Sequence, residues 1–292
     1  MDGVPLLVLD EGHAELAYGG NKVRKLVGIL AEAARAGAQD LVTFGAWGSH
    51  HVYATALWGA QLGLRTHAIW IRQPETEHVR RMAEASHAVC ASVQAVHSVA
   101  ELPMVTAALM TRLLAASGRP PLRIPPGGSS REGTRGWVEV AASLPRWMEE
   151  RGMNPPSAVV VASGSGGTAA GLLATGWPVH AVRVGPRALT HRSRLRRLAR
   201  GAGAQHLGVL QVEHDYRAGG YGQWDARTLE ACAAGRAAGM PTETTYTAKS
   251  LACALDMARA GQRVLYVQTA SAVPPRSGPP LPAALLERLR TP

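Results

Sequence analysis

The chain has 292 residues, of which 46% are hydrophobic and 18% are charged, the balance of a globular protein with a sizeable core. Its apolar runs are interrupted within about ten residues, too short to span a bilayer, so a membrane protein is not indicated. The first residues lack the basic segment of a signal peptide, and the three cysteines form no CxxC pair. We therefore expect a cytoplasmic protein with free thiols and no metal site.

The formal net charge of +10 raises the question of a nucleic-acid partner. The densest basic segment, residues 187–200, is typical of one exposed helix and contains no aromatic residues that could stack on bases. We therefore expect no nucleic-acid partner. Nearly all the basic side chains are arginines, and Lys22, Lys25 and Lys249 are the only lysines. A reaction that needs a lysine thus has three candidates.

Short apolar runs alternate along the chain with segments of helical periodicity. The predicted strands are 5–9, 41–44, 65–71, 91–95, 122–124, 158–162, 179–184, 209–212 and 264–267. The predicted helices are about 22–36, 50–62, 75–86, 100–116, 133–151, 168–174, the arginine-rich segment, 226–238, 248–260 and 281–289. This alternation predicts an α/β protein with parallel sheets and right-handed crossovers.

Two glycines directly precede the first predicted helix, in the run Gly19-Gly20-Asn21-Lys22. They allow a tight turn and a close approach of the backbone to a ligand. A lysine presented from such a turn could form a Schiff base with an aldehyde cofactor such as pyridoxal phosphate, or bind a phosphate group. It could equally be a solvated lysine in an ordinary turn. This run alone leaves the three interpretations open.

A second glycine-rich run follows the most apolar strand, where the chain reads Ser163-Gly164-Ser165-Gly166-Gly167-Thr168. Its free backbone N–H groups and its hydroxyls favour an anion, and a helix is predicted to begin there. The run lacks the lysine of a Walker loop, and no acidic residue follows the next strand to hold a ribose. A phosphate site without nucleotide machinery, together with the first run, points to pyridoxal phosphate.

Two further places could carry chemistry. Ser49-His50-His51 stands between a strand and a helix, where Ser49 could cap the helix or bind a carboxylate. Neighbouring side chains on a helix diverge by about 100°, so the two histidines are not expected to share a metal. Tyr221 lies in a glycine-rich loop and Tyr246 precedes a helix. Either phenol could transfer a proton, stack on a planar ring, or simply pack.

The order of these motifs resembles a known family. From about residue 19 to residue 271 the chain reads Gly-Gly-Asn-Lys-x-Arg-Lys-Leu, Gly-x-x-x-Ser-x-His, Gly-Gly-Ser, Ser-Gly-Ser-Gly-Gly-Thr, Gly-Tyr-Gly and Tyr-Thr-x-Lys-Ser. This series is similar to the D-cysteine desulfhydrase and 1-aminocyclopropane-1-carboxylate deaminase family. That family belongs to the fold type II, tryptophan-synthase-β-like enzymes that use pyridoxal phosphate.

The resemblance implies a role for each matched residue. Lys22 would form the Schiff base and move the α-proton of the substrate, and Asn21 would support the cofactor ring or the lysine. Ser49 would hold the substrate carboxylate or act as an acid–base partner. Tyr221 and Tyr246 would flank the ring and assist proton transfer. The cofactor phosphate would be bound by Ser163, Gly164, Ser165, Gly166, Gly167 and Thr168.

Two positions decide which member of the family the chain resembles. Thr247 would face the pyridine nitrogen, where the deaminases have a glutamate, and a threonine favours a neutral pyridine and α,β-elimination. His50 replaces an amide that in the family contacts the cofactor ring oxygen and the substrate carboxylate. An imidazole is larger and can carry a positive charge, so it could shift the preferred substrate.

The resemblance further implies a two-domain fold type II enzyme with the cofactor in the cleft between parallel-sheet domains. The small domain would span 33–124, and the large domain would comprise 1–32 and 125–292. The expected protein is a homodimeric lyase that converts a small amino acid to a keto acid and ammonia. The alternatives are aminocyclopropane ring opening, β-replacement or racemisation, and a non-catalytic cofactor- or phosphate-binding protein.

Overall fold

The computed structural model describes residues 5–13 and 18–290. The strands are β1 Leu7–Asp10, β2 Asp40–Ala46, β3 Arg65–Ile71, β4 Ser92–Val96, β5 Leu122–Ile124, β6 Ala158–Ser163, β7 Val179–Arg183, β8 Leu210–Glu213 and β9 Val264–Gln268. The helices are α1 Lys22–Arg35, α2 His50–Gln61, α3 Glu77–Val89, α4 Leu102–Ser117, α5 Arg131–Glu149, α6 Gly167–Leu172, α7 Arg192–Gly201, α8 Ala226–Ala237, α9 Thr247–Arg259 and α10 Ala283–Arg290. Each predicted strand and helix is present, with ends shifted by a few residues, and the predicted α/β class is confirmed.

The first compact unit consists of the described part of Met1–Lys25 together with Ser129–Val273. Its sheet has the strand order β1-β9-β6-β7-β8, and all neighbouring strands are parallel. The central strand β6 is buried along its whole length. Helices that cover both faces of a parallel sheet explain why β6 is continuously apolar and does not alternate with polar residues.

Successive side chains of β6 enter two separate cores. Val159 and Val161 pack with Trp137 of α5 and with residues of α6 and α7. Val160, on the opposite face, packs with residues of α8 and α9. Each fully buried valine stabilises the fold by about 1.5–3 kcal/mol relative to an exposed one. The end of β6, where Ser163 stands, is therefore a firmly held part of this unit.

The second compact unit consists of Leu26–Gly128 and the described part of Pro274–Pro292. Its sheet is also parallel, with the order β4-β3-β2-β5. Trp47 and Trp70 fill the core on one face of this sheet, and Phe44 packs with residues of α4 on the other. α1 begins in the first unit and continues into the second.

The C-terminal tail lies in this second unit, whereas the sequence places it in the larger domain. Leu281 and Leu289 are buried in the core around the two tryptophans. Arg290 forms an ion pair with Glu75 at 2.7 Å. The tail joins this unit because α10 carries an apolar stripe that packs beside β4. The other boundaries of this unit, Leu26 and Gly128, lie seven and four residues outside the predicted 33 and 124.

One described helix, Val99–Ser117, is long and apolar enough to cross a membrane by length and composition alone. The mean hydropathy of its most apolar 18 residues is 1.4, and 11% of that stretch is buried inside the structure. Polar residues such as Thr106 and Thr111 interrupt its apolar runs, so none of those runs is long enough to span a bilayer without a break. A single helix of this kind is weak evidence for a membrane span.

Candidate active site

Lys22 is presented from a turn that only glycine can make. Gly20 has φ +50°, and a Cβ there would lie 2.6 Å from the carbonyl oxygen of Thr269 and 2.8 Å from the amide nitrogen of Ser271. The turn is held to the end of β9 because the Asn21 N–H donates to the Thr269 carbonyl at 3.2 Å. The start of α1 is thereby fixed at the carboxyl edge of the sheet, where ligand sites of parallel sheets lie.

The Lys22 amine is joined to the second glycine-rich run through Asn21. Lys22 Nζ donates to Asn21 Oδ1 at 2.8 Å, and Asn21 Nδ2 donates to Thr168 Oγ1 at 3.0 Å. Asn21 is buried, and Trp137 Nε1 donates to its carbonyl oxygen at 3.2 Å. The two motifs that the sequence singled out thus meet in one hydrogen-bonded chain of Lys22, Asn21 and Thr168.

The run from Ser163 to Thr168 wraps tightly between β6 and α6. Gly166 has φ +88°, and a Cβ there would lie 2.2 Å from Leu195 Cδ2. A Cβ on Gly164 would lie 2.7 Å from Tyr246 Cε1. Arg194 of α7 donates to the Ser165 carbonyl at 2.9 Å and fixes the run from outside. The glycines are therefore required by close contacts and not only by flexibility.

Two residues that the sequence left without a role complete this run. Ser129 Oγ accepts from the Gly167 N–H at 3.0 Å and donates to Ser165 Oγ at 2.8 Å. Lys25 Nζ lies 3.5 Å from Ser129 Oγ, and a Cβ on Gly167 would lie 3.0 Å from that amine. The available signal was that Lys25 follows Lys22 by three positions, on the same side of a helix.

Burial sets the ionisation of both lysines. It lowers the pKa of Lys22 from the ordinary 10.5 to about 8, against the charge of Glu243, which raises it. Burial also holds the pKa of Lys25 well below its usual range, and the charges of Lys22 and Arg194 add to this effect. Near neutral pH a useful fraction of Lys22 is the neutral amine, the form that attacks a carbonyl carbon.

Tyr221 and Tyr246 form a pair. Their hydroxyls are 2.9 Å apart, and their rings meet edge to face with centroids 5.7 Å apart. Burial raises the pKa of Tyr221 to about 12 and that of Tyr246 well above its usual range. Both phenols therefore keep their protons at neutral pH. The pair can donate or relay a proton, and neither phenol is a base under those conditions.

Glu243 organises the start of α9. Its carboxylate accepts from the backbone N–H groups of Thr245, Tyr246 and Thr247 at 2.8–2.9 Å. Thr247 Oγ1 accepts from the Glu243 N–H at 2.8 Å and donates to Glu243, whose carbonyl oxygen is 3.1 Å away. The single hydroxyl proton of Thr247 is thus already engaged, which leaves one lone pair for a ligand. The sequence analysis assigned no role to Glu243.

Ser49 and His50 belong to the second unit. Ser49 is the N-cap of α2, with its Oγ accepting from the Val52 N–H at 3.5 Å, so the capping interpretation is confirmed. His50 stacks on His78, with their Nε2 atoms 3.1 Å apart, whereas His51 Nε2 lies 3.0 Å from Thr43 Oγ1. The neighbouring imidazoles thus contact different partners. The roles predicted for Ser49 and His50 stay predictions.

The residues of the first unit fit a phosphorylated aldehyde. Ser163 Oγ is buried and has no hydrogen-bond partner among the described residues. A Cβ on Gly167 would fill the space between the run and Ser129, 2.6 Å from its Oγ. A low-pKa amine is therefore linked to a run of glycines and hydroxyls that includes an unpartnered buried hydroxyl. Fold and site together define the class of α/β enzymes that hold such a cofactor on a lysine.

The chain belongs to the pyridoxal-phosphate-dependent enzyme family, whose model matches residues 2–266. A protein of Pyrococcus furiosus with the provisional name 1-aminocyclopropane-1-carboxylate deaminase is 30% identical over 91% of this chain and 84% of its own length. A D-cysteine desulfhydrase of Serratia proteamaculans is 38% identical over 54% of this chain and 48% of its own length. The crystal structure of an ACC deaminase homologue superposes with a TM-score of 0.78 and 26% identity, over 92% of this chain and 85% of that one.

These likenesses confirm the predicted family, the fold type and the cofactor. The enzymes of this family use pyridoxal phosphate, and the lysine-bearing glycine turn and the glycine-rich run of the first unit are both features that this cofactor needs.

Proposed function

We propose that this chain is a lyase that catalyses α,β-elimination on a small amino acid, as a D-cysteine desulfhydrase does. The observation that carries this proposal is the hydrogen-bonded chain that links Lys22 through Asn21 to Thr168. It places one neutralisable amine beside one anion-binding run. The threonine at position 247 favours elimination, because the resemblance places a glutamate there in the deaminases.

The site residues Lys22, Asn21, Tyr221 and Tyr246 each have a definite task in this proposal. Bound pyridoxal phosphate supplies an electron sink that stabilises a carbanion at the substrate Cα. Lys22 takes the α-proton, and Asn21 fixes the direction of its amine. The protonated pair Tyr221 and Tyr246 donates a proton toward the departing β-substituent.

The phosphate would be held by the run Ser163–Thr168 with help from two residues outside it. Lys25 adds a buried amine whose ammonium form can pair with the phosphate, and Ser129 adds a hydroxyl that already bonds to both Ser165 and Gly167. A phosphate dianion next to Lys25 would restore the charge that burial disfavours. These residues would hold the phosphate beside the Lys22 amine, the group that would bond to the cofactor aldehyde.

The product formed from candidate substrates tests the proposed reaction. Purified holoenzyme should convert D-cysteine and water to pyruvate, ammonia and sulfide. We expect kcat/KM for 1-aminocyclopropane-1-carboxylate to be lower by at least about tenfold, roughly 1.4 kcal/mol of transition-state stabilisation. Keto acid and sulfide are measured together over a panel of D- and L-amino acids.

Ring opening is the second candidate reaction, and the Pyrococcus furiosus relative favours it because its likeness extends over 91% of this chain. Preferential formation of 2-oxobutyrate from 1-aminocyclopropane-1-carboxylate would replace the first proposal with this one. A protein that binds the cofactor but releases no keto acid from any amino acid would contradict both.

The pH dependence of cofactor loading tests the environment of Lys22. Because only the neutral amine attacks the aldehyde, the rate of reconstitution of apoprotein with pyridoxal phosphate should rise with pH and level off above a midpoint of about 8. Glu243→Gln keeps an oxygen for the backbone N–H groups of α9 but removes the charge that raises the pKa of Lys22. Its midpoint should therefore move to lower pH. A midpoint near the ordinary 10.5 would mean that the amine is solvated.

We further propose that the enzyme is a cytoplasmic homodimer, as the resemblance implies. The mass of the holoenzyme by light scattering on a sizing column tests the assembly. A monomer at micromolar concentration would contradict it.

A further inference from the structure

The loop that carries Tyr221 is crossed by a backbone hydrogen bond, in which the Gly220 N–H donates to the Arg217 carbonyl at 3.2 Å. Ala218 has φ +50° and is the non-glycine residue with positive φ in the described ranges 5–13 and 18–290. Gly219 and Gly220 also have positive φ, at +81° and +157°. An alanine in the left-handed region costs about 1–2 kcal/mol. Contacts beyond that backbone hydrogen bond therefore help to keep this conformation populated.

Lys249 of α9 bridges this loop from beneath. Its Nζ donates to the Arg217 carbonyl at 2.8 Å and to the Gly220 carbonyl at 2.7 Å. The two carbonyls lie on either side of Ala218 and Gly219, and the lysine side chain is completely buried. A buried ammonium that lost these acceptors would be left unsatisfied, so the bridge is strongly favoured once the unit has folded.

The same ammonium is in a mixed electrostatic environment. Burial lowers the pKa of Lys249 to about 8, the charges of Glu243 and Asp225 raise it, and the charge of Arg217 lowers it further. Either ionisation state keeps at least two N–H groups, so both carbonyls can be bonded in each state. Both bonds of Lys249 go to backbone carbonyls, whereas the described partner of Lys22 Nζ is the side chain of Asn21. Lys249 is therefore bound in the scaffold, and Lys22 remains the amine for chemistry.

The bridge ends next to the tyrosine pair. Tyr221 directly follows Gly220, and Tyr246 immediately precedes α9, three residues before Lys249. The start of α9 thus carries Tyr246 and also holds the loop of Tyr221. The hydroxyls of these two tyrosines are 2.9 Å apart. We propose that Lys249 is a positioning residue, which clamps the loop 217–220 so that the Tyr221 hydroxyl stays on that of Tyr246. The catalytic part of this inference rests on the proposed function, which gives the tyrosine pair its task.

Hydrogen exchange tests the clamp itself and does not depend on turnover. Lys249→Met keeps the length and apolar stem of the side chain but removes its donors. We expect amide exchange at residues 217–222 to accelerate at least about tenfold, with exchange in β6 and α9 unchanged. Arg192→Met is the matched control, since Arg192 also donates to a backbone carbonyl of this unit, that of Leu210. It should leave residues 217–222 as they are. Unchanged exchange in Lys249→Met would overturn the proposal.

A double-mutant cycle tests whether the clamp acts through Tyr221. We expect Tyr221→Phe and Lys249→Met each to lower kcat at least about tenfold. The double variant should be no slower than the slower single variant, because both changes remove the same hydroxyl from its place. Multiplying effects would show that Lys249 acts elsewhere and would overturn the proposal.

If Lys249→Met does not fold, Lys249→Gln takes its place in both measurements. Its shorter amide can reach one carbonyl, so intermediate exchange and intermediate kcat are expected, and wild-type values for both would overturn the clamp. Absence of turnover in the wild-type holoenzyme would contradict the proposed function alone. The exchange measurement would still decide whether Lys249 holds the loop.

Discussion

Lys22→Ala should remove the visible absorbance of the cofactor-loaded protein and lower turnover by at least about 10³-fold. The amine has two tasks in the proposed reaction, since it bonds to the cofactor aldehyde and moves the α-proton. Asn21 holds it at 2.8 Å, beside the run that receives the phosphate. The chain has three lysines, and Lys249 is bound to two backbone carbonyls. Borohydride reduction of the wild-type holoenzyme followed by peptide mapping should place the label on residue 22.

Lys25→Ala is the contrasting variant, because it removes the neighbouring amine. Loss of one charge-assisted contact to the phosphate costs about 1.5–3 kcal/mol, which corresponds to a Kd for the cofactor raised roughly 10- to 150-fold. At saturating cofactor this variant should keep its visible absorbance, since Lys22 is intact. A label on Lys25 or Lys249, or an absorbance band that persists in Lys22→Ala, would show that the assignment of Lys22 is wrong.

The sequence predicts the parts of the site that are local in the chain. Gly20 and Gly166 stand where the backbone must enter the left-handed region, and such positions are visible in a sequence as glycines before a helix. The burial of β6 is visible as an uninterrupted apolar run. Periodicity and turn chemistry thus locate both runs at strand ends, and a parallel sheet then places strand ends along one edge.

The parts that the sequence does not predict depend on partners far along the chain. Ser129 reaches Gly167 across 38 positions, and Lys249 reaches Arg217 across 32. Spacing carries no signal for such pairs. Glu243 was missed for another reason, because a glutamate before a helix is typical of ordinary capping, and its influence on Lys22 depends on the fold. The engagement of the Thr247 hydroxyl by Glu243 likewise depends on the fold.

Trp137→Ala should destabilise the folded protein by about 3–5 kcal/mol, a large part of the total stability of a typical domain. The indole, which α5 carries, is completely buried against α6 and the central strand β6. Gly171 lets α6 approach it, since a Cβ there would lie 2.3 Å from Trp137 Cβ. The side chain also carries the Arg24 guanidinium on its ring face, with 5.6 Å to the centroid. Such a close fit leaves little freedom to close the resulting cavity.

Trp147→Ala is the matched control for Trp137→Ala, because Trp147 lies on the same helix α5 and is 46% exposed. The Arg151 guanidinium lies 4.2 Å from its ring centroid, and because nearly half of the residue is already exposed we expect a loss below about 1 kcal/mol. Urea unfolding followed by circular dichroism measures both losses in the apoprotein. Equal losses in the two variants would show that Trp137 does not hold α5 and α6 together.

Trp137→Phe separates the packing of this residue from its hydrogen bond to the site. The phenyl ring fills most of the space but cannot donate to the Asn21 carbonyl, which accepts from Trp137 Nε1 at 3.2 Å. We expect a smaller loss of stability, about 1–3 kcal/mol, because a buried carbonyl is left unsatisfied. We also expect slower reconstitution with pyridoxal phosphate, since Asn21 orients the Lys22 amine. If reconstitution keeps its wild-type rate while stability falls, then Trp137 contributes only to the core. The position of Asn21 would then be fixed by its hydrogen bonds to Thr168 and to the Thr269 carbonyl.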